Sequence, residues 1–150
     1  MGQVSILEFA DRMNEVMPTI AREFVRRQAD ELYKGKISLP QFLVLEFLHK
    51  EGESKMTTLA NFMDVTTAAM TGIIDRLVNY RYVIRIFDPN DRRVIKTKLT
   101  PKGAELVKRI TQQRRRMIIN IFGKITELER NDYLSILMRI RDILAKQKEA

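Results

Sequence analysis

The sequence predicts a mainly α-helical fold with a small β wing, a single hairpin, in its middle. Three observations predict it: apolar residues recur at helical spacing in most segments, two β-rich runs flank a turn that contains Pro and Asn, and only four prolines and six glycines are present. A chain of 150 residues buries roughly two thirds of its unfolded surface. We therefore expect a folded chain in three regions, residues 1–38, 39–100 and 101–150.

The composition excludes several functional classes. Cysteine is absent, which removes disulfides, thiolate metal sites, cysteine nucleophiles and thiol-based redox sensing. No apolar run is long enough to span a bilayer, and residues 1–10 lack a signal-peptide pattern, so we expect a cytoplasmic protein without a membrane partner. The single histidine, His49, lies at a helix end, and the sequence contains no phosphate loop, nucleophile motif or metal-ligand cluster. We predict no enzyme activity, no cofactor and no metal.

The charge favours a polyanionic partner. Lys and Arg number 27 against 19 Asp and Glu, which leaves a net charge of +8. Ten of the basic residues lie between Arg92 and Arg116, where Glu105 is the only acidic residue. Such a concentration is typical of nucleic-acid binding, although a run such as Arg114 to Arg116 is also often a solvated helix face.

The first region carries a narrow apolar stripe. Its members alternate at spacings of four and three: Ile6, Ala10, Met13, Met17, Ile20 and Phe24. Proline lacks the amide proton and clashes with the preceding turn, so Pro18 is expected to start or kink a helix, which the Gly35 region would close. The segment from Leu39 to His49 is apolar on most sides, and we expect it to be a core helix.

Two short helices with a tight connection follow. Thr57 and Thr66 are the predicted N-caps, and Met63, Asp64 and Val65 form the predicted turn. On the second helix an apolar row faces inward and leaves a small, polar outer face. The inward residues are Met70, Ile73, Ile74 and Leu77, and the outward ones are Ala68, Thr71, Gly72, Asp75, Arg76 and Asn79. Such an outer face suits insertion into a DNA major groove, although many helical hairpins look similar.

A basic hairpin follows that second helix. The runs Tyr82 to Phe87 and Val94 to Leu99 are β-rich, and the tip between them carries Arg92 and Arg93. The second strand alternates a charged face with a partly apolar one. A helix-turn-helix followed by such a hairpin is a winged helix-turn-helix, whose wing arginines suit a narrow minor groove. An ordinary solvated hairpin is the alternative.

The third region is predicted to contain two helices. Thr100 and Pro101 start a long helix that Gly123 ends, and Thr126 with Glu129 forms a capping box for the last helix. That last helix has a strong apolar face, made by Tyr133, Ile136, Leu137, Ile140, Ile143 and Leu144. A chain of this size cannot cover such a face alone, so we predict a homodimer.

These elements resemble the MarR (multiple antibiotic resistance regulator) family. The resemblance extends from Leu39-Pro40-Gln41 through Leu59-Ala60, Val65-Thr66, Thr71, Ile74-Asp75-Arg76-Leu77, Val83, Arg85, Asp88-Pro89-Asn90-Asp91-Arg92-Arg93 and Leu99-Thr100-Pro101-Lys102-Gly103. It implies a triangular homodimer that binds palindromic double-stranded DNA as a transcriptional regulator, most commonly a repressor. Residues 39–100 would be the DNA-binding domain, with dimerisation helices in 1–38 and 101–150. The alternative is a winged-helix protein-interaction module without sequence-specific DNA binding.

The resemblance also implies roles for particular residues. DNA contacts are expected from Thr66, Thr67, Ala68, Thr71, Gly72, Arg76, Arg92, Arg93 and Lys96. Asp75, paired with Arg93, and Asp91 would brace the wing and leave Arg92 as the groove contact. Dimerisation is expected from Ile6, Met13, Ile136, Ile140 and Ile143. A crevice for a small aromatic carboxylate or other apolar ligand has as candidate lining residues Met13, Met17, Phe42, Phe47 and Met117. The alternative for each of them is a place in the core.

Two positions depart from the family pattern. Many relatives carry an arginine where this chain has Gly72, and most have a glycine where it has Arg81-Tyr82. The first departure means that no base preference can be transferred. Gly72 would instead permit close approach of the backbone, with Thr66, Thr67 and Thr71 contacting phosphates or thymine methyls.

Overall fold

A computed structural model describes residues 2–27 and 35–148. Contacts divide the chain into two units, residues 1–113 and 114–150. The elements in chain order are α1 (Ile6–Arg27), α2 (Leu39–Glu51), β1 (Ser54–Lys55), α3 (Met56–Met63), α4 (Thr67–Asn79), β2 (Val83–Phe87), β3 (Ile95–Leu99), α5 (Pro101–Phe122) and α6 (Glu127–Lys148). The predicted mainly helical fold with a small β wing is confirmed. No described helix has the length and apolar character needed to cross a membrane.

Helix α1 presents its apolar stripe at the surface. The helix begins at Ile6 and continues through Pro18 to Arg27, so the expectation that Pro18 starts a helix is wrong. All of α1 belongs to the described residues, and none of its side chains is buried. Ile6, Met13 and Met17 are all exposed in the single chain. The predicted end of this helix near Gly35 lies outside the described residues.

The core of the first unit surrounds α2. A capping box starts this helix: the Ser38 amide donates to Gln41 Oε1, and the Gln41 amide donates to Ser38 Oγ. The buried apolar side chains are Ile37, Phe42, Val44, Leu45, Leu48, Leu59, Ala60, Met70, Ile74, Leu77, Val83, Leu106, Val107 and Ile110. The core therefore extends beyond the predicted 39–100 domain, because Ile37 precedes it and the first turns of α5 close it from the other side.

The sheet has three antiparallel strands in the order β1-β3-β2. Val83 pairs with Leu99 and Phe87 with Ile95, so each hairpin strand is one residue shorter than predicted. β1 was not predicted, since a two-residue strand carries no alternation pattern. The alternation predicted for β3 is confirmed: Thr97 is buried, with its hydroxyl 3.6 Å from the Met56 sulfur, and Lys98 is exposed.

The second unit ends in helix α6, which starts with the predicted capping box. The Thr126 amide donates to Glu129 Oε2 at 2.8 Å, and the Glu129 amide donates to Thr126 Oγ1 at 3.2 Å. The hydrogen bond from the Thr126 amide holds the pKa of Glu129 below its ordinary value. Every residue of α6 lies in the described range 127–148, and none is buried within the chain.

Candidate nucleic-acid interface

The connection between α3 and α4 is a tight three-residue turn. Asp64 adopts left-handed backbone angles, with φ at 54°. Its amide donates to the Asn61 carbonyl, and the Val65 amide donates to the Ala60 carbonyl. These two bonds form a Schellman motif that ends α3. Thr66 then caps α4 by accepting a 3.1 Å hydrogen bond from the Ala69 amide, as predicted.

The start of α3 differs from the prediction. Thr57 was expected to cap this helix, but the helix begins one residue earlier, at Met56. Lys55 occupies the N-cap position and makes no side-chain cap bond. The reason is that β1 pairs Lys55 with Lys96 of β3, so the chain leaves the extended conformation at Lys55 and Met56 is the first helical residue.

The outer face of α4 is exposed and carries short side chains. Thr67, Ala68, Thr71, Gly72, Asp75, Arg76 and Asn79 are exposed, whereas Met70, Ile74 and Leu77 are buried. A Cβ atom placed on Gly72 would meet nothing within 4 Å. The Thr71 hydroxyl donates to the Thr67 carbonyl at 2.8 Å. The predicted division of α4 into an apolar inner face and a small, polar outer face is confirmed.

The start of α5 holds the connection from α4 to the wing. Arg81 adopts left-handed backbone angles, with φ at 63°, where glycine is the easiest residue to place. Its carbonyl accepts from Thr100 Oγ1 at 2.7 Å, and the Tyr80 carbonyl accepts from Lys102 Nζ at 2.9 Å. The Thr100 amide donates to the Tyr82 carbonyl. Residues 100–102 thus donate hydrogen bonds to three consecutive carbonyls. These bonds offset the conformational cost of a residue other than glycine at position 81.

Gly103 is required by this contact. A Cβ at Gly103 would lie 2.2 Å from the Tyr82 carbonyl oxygen and 2.8 Å from Leu99 Cδ1. Gly103→Ala is therefore expected to lower the free energy of unfolding by about 1–3 kcal/mol or more, measured by urea denaturation. Gly72→Ala is the matched control, since its site is open and alanine is the better helix former, and it should raise that free energy by up to about 1 kcal/mol. Equal effects of the two substitutions would contradict the close contact.

An ion pair joins α4 to the first wing strand. Arg85 Nη2 donates to Asp75 Oδ1 at 2.5 Å. The predicted pairing of Asp75 with Arg93 is therefore wrong. The reason is the register of the hairpin: Arg85 lies on β2, which contacts α4, whereas Arg93 lies in the distal turn. Sequence reasoning missed Arg85 in this role, although it is the only charged residue in that strand.

The wing turn is held by its own acidic residues. Asp91 Oδ1 accepts from the Arg93 amide at 3.0 Å and from Arg93 Nε at 3.2 Å. Asp88 Oδ1 accepts from the Asn90 amide at 2.8 Å. That hydrogen bond, together with the nearby Lys96 ammonium, holds the pKa of Asp88 below its ordinary value. Both carboxylates accept hydrogen bonds within the turn and shape the loop that presents the arginines.

The basic residues of the wing divide into two kinds. Lys96, predicted as a DNA contact, lies 3.7 Å from Glu53 and 3.6 Å from Asp88, so its charge is compensated within the chain. The Arg93 side chain remains 92% exposed despite its pair with Asp91. Arg92 is exposed, and no ion pair of its side chain is found among the described residues. The wing tip therefore presents two exposed positive charges, Arg92 and Arg93.

The predicted ligand-pocket residues differ in how exposed they are. Phe42 is 1% exposed and belongs to the core, because α2 is packed on several sides. Its assignment to a ligand pocket stays a prediction. Phe47 is half-buried against Phe62, with ring centroids 4.4 Å apart. Met13 and Met17 are exposed on α1, and Met117 is half-buried in the second unit. Among the described residues, no group of three metal-ligating side chains is found.

The helix-turn-helix, the wing and the helix that returns behind them define a winged helix-turn-helix protein. The MarR family model matches residues 37–95. The HTH-type transcriptional regulator YsmB of Bacillus subtilis (strain 168) is 26% identical over 90% of this chain and 92% of its own length. The HTH-type transcriptional repressor MdtR of the same organism is 29% identical over 67% of this chain and 64% of its own length.

A solved structure agrees with this fold over nearly the whole chain. FabT of Streptococcus pneumoniae, solved in complex with DNA, superposes with a TM-score of 0.79, covering 91% of this chain and 98% of its own at 20% identity. On the family match over residues 37–95 and the similarity to YsmB over most of its length, the chain is a MarR-type helix-turn-helix transcriptional regulator. YsmB and MdtR are regulators by name, which agrees with the expectation of a protein without enzyme activity.

Proposed function

We propose that this chain is a cytoplasmic repressor that binds palindromic double-stranded DNA as a homodimer and is released by a small molecule. The observation that carries the proposal is the geometry of α4 and the wing. An exposed helix face of short side chains lies beside a hairpin with Arg92 and Arg93 exposed at its tip. Support comes from the excess of basic residues and from FabT, a protein of the same fold solved with DNA.

In the proposed complex α4 enters the major groove and the wing enters the adjacent minor groove. The residues assigned to base edges and backbone on α4 are Thr66, Thr67, Ala68, Thr71, Gly72 and Arg76. Arg92 and Arg93 are assigned to the minor groove, whose negative potential attracts arginine. The Asp75–Arg85 pair spans the gap between helix and wing, so it would fix the distance between the two DNA-contacting elements. Asp91 would hold the wing turn in shape.

Dimerisation is proposed through α1 and α6. Both helices are 22 residues long, fully described, and without a buried residue in the single chain. Their exposed apolar side chains include Ile6, Met13, Ile136, Ile140 and Ile143. Large exposed apolar surfaces of this kind are typical of protein–protein contacts. A two-fold dimer would present two copies of α4, which matches a palindromic site with half-sites roughly 34 Å apart.

We base the proposed release by a ligand on apolar, flexible side chains that are accessible in the single chain. Met13 and Met17 are exposed on α1, and Phe47 is half-buried; methionine adapts to varied apolar ligands. Excess positive charge favours an anionic ligand such as an aromatic carboxylate. A ligand that weakens DNA binding must itself bind the DNA complex more weakly, by the same factor. Salicylate titrated at fixed ionic strength into free protein and into the complex tests this reciprocity.

The proposal is tested first with duplex DNA from the region directly upstream of the protein's own gene. Protection of a palindrome there, with affinity that falls steeply as salt rises, is the expected result. The salt dependence follows from release of counterions by each neutralised phosphate. Weak duplex affinity with little salt dependence would overturn the DNA-binding function and favour the protein-interaction module instead.

A further inference from the structure

The first two turns of α4 present methyl groups and carry no side chain able to make paired hydrogen bonds to a base. The residues from the cap to the second turn are Thr66, Thr67, Ala68, Ala69, Met70, Thr71 and Gly72. Met70 is buried, and the others are exposed. The first long polar side chain on the exposed face is Arg76, in the third turn. This face is therefore chemically unusual for a DNA-reading surface, because small apolar groups dominate it.

Two of the threonine hydroxyls are already engaged within the helix. Thr66 Oγ1 accepts from the Ala69 amide at 3.1 Å, and Thr71 Oγ1 donates its proton to the Thr67 carbonyl at 2.8 Å. A β-branched side chain in a helix has few rotamers, so these bonds hold the side chains in place. While its proton is held in this bond, the Thr71 hydroxyl does not donate to a phosphate; its oxygen can only accept, and its methyl is available for apolar contact. The structure thus favours methyl contact over phosphate contact at Thr71.

Gly72 extends this low apolar surface. A Cβ at this position would meet nothing within 4 Å, so the chain itself does not require a glycine here. Because Gly72 has no side chain, the outer surface of α4 is lower between Ala68 and Arg76, which each lie one turn away from it. A lower surface lets the short side chains around it reach the floor of a groove.

In the major groove, the 5-methyl group of thymine is the apolar feature that distinguishes one base from the others. Guanine is read by paired bonds from Arg or Lys, and adenine by paired bonds from Asn or Gln. We propose that the first two turns of α4 recognise thymine 5-methyl groups, with Thr71 as a specificity-determining residue. Recognition of G·C pairs is left to Arg76. This inference rests on the proposed DNA-binding function.

The test uses the tightest duplex that the full-length protein selects from a random library. Thymines in that duplex are replaced one at a time by deoxyuridine, which removes only the 5-methyl group. Burying one such group contributes about fourfold in affinity. Symmetric replacement in both half-sites should therefore weaken binding by roughly fifteenfold at the contacted position. Unchanged affinity at every thymine would overturn the inference.

Two substitutions at Thr71 separate its methyl from its hydroxyl. Thr71→Val keeps the methyl and should retain both the affinity and the sensitivity to deoxyuridine. Thr71→Ser keeps the hydroxyl and its bond to the Thr67 carbonyl, and it should lose about fourfold in each half-site. The serine variant should also become insensitive to deoxyuridine at the contacted base. The reverse pattern, in which serine binds like wild type and valine does not, would assign recognition to the hydroxyl.

Gly72→Ala adds an independent measurement on the same surface. The substitution fills open space, so the melting temperature should not fall, whereas affinity for the selected duplex should drop at least fivefold because α4 is held farther from the groove. Unchanged affinity would overturn the close approach. Failure of DNA binding itself is distinguishable from failure of this inference: no enriched duplex argues against the function, whereas an enriched duplex with G·C pairs beneath the first turns overturns only the methyl recognition.

Discussion

Replacing both Arg92 and Arg93 with alanine is expected to weaken operator binding by roughly a hundredfold or more while leaving the fold intact. Each lost groove or phosphate contact costs about 1–3 kcal/mol, and the two residues lie side by side at the wing tip. The fold should survive because both side chains are exposed and contribute nothing to the core. Surface substitutions away from the core usually change the free energy of unfolding by no more than about 0.5 kcal/mol.

The matched control for this variant is Lys146→Ala with Lys148→Ala. These lysines are exposed at the end of α6, so the control removes two positive charges without touching the wing. If binding depends on the wing arginines themselves, the wing variant loses affinity and its salt dependence becomes shallower by about four units of slope, two for each subunit, whereas the control changes little. Equal losses in the two variants would assign the effect to overall charge, and unchanged affinity in the wing variant would remove the wing from the interface.

Much of α4, the wing and the start of α6 could be predicted from the sequence because the patterns that define them are local. The cap at Thr66, the apolar row of α4 and the capping box at Thr126 each depend on residues three or four apart. Spacings of that kind fix which side chains share a helix face, and the structure shows the same division. The β-rich runs on either side of the turn likewise predicted the hairpin to within one residue at each strand.

Contacts between residues distant in sequence could not be predicted in the same way. Asp75 pairs with Arg85 rather than Arg93, and this choice depends on which residue the hairpin register brings against α4. Gly103 is required because α5 packs against the Tyr82 carbonyl. No local sequence pattern predicts this contact. The core position of Phe42, by contrast, agrees with the expectation that the segment from Leu39 to His49 is a core helix.

Charged replacements at Ile136 and Ile140 are expected to prevent assembly of the dimer. Both side chains are exposed in the single chain, on a helix that buries none of its residues. If a second copy covers this face, Ile136→Glu with Ile140→Glu places four uncompensated carboxylates in one dimer contact. Burying an unpaired charge costs several kcal/mol, so four of them together should prevent association. Light scattering of the purified variant should therefore report monomers, and operator affinity should fall because one monomer reads only one half-site.

The control for this prediction is Ser135→Glu, which adds a carboxylate to the same helix on the side opposite Ile140. It should remain dimeric, since positions five residues apart on a helix lie about 140° apart. If the glutamate variant is insoluble, Ile140→Ala provides a second measurement. Light scattering of a dilution series should then show monomers at a higher protein concentration than in wild type, because the dimer is weakened. A double glutamate variant with wild-type dimer mass and wild-type operator affinity would place the dimer contact elsewhere on the chain.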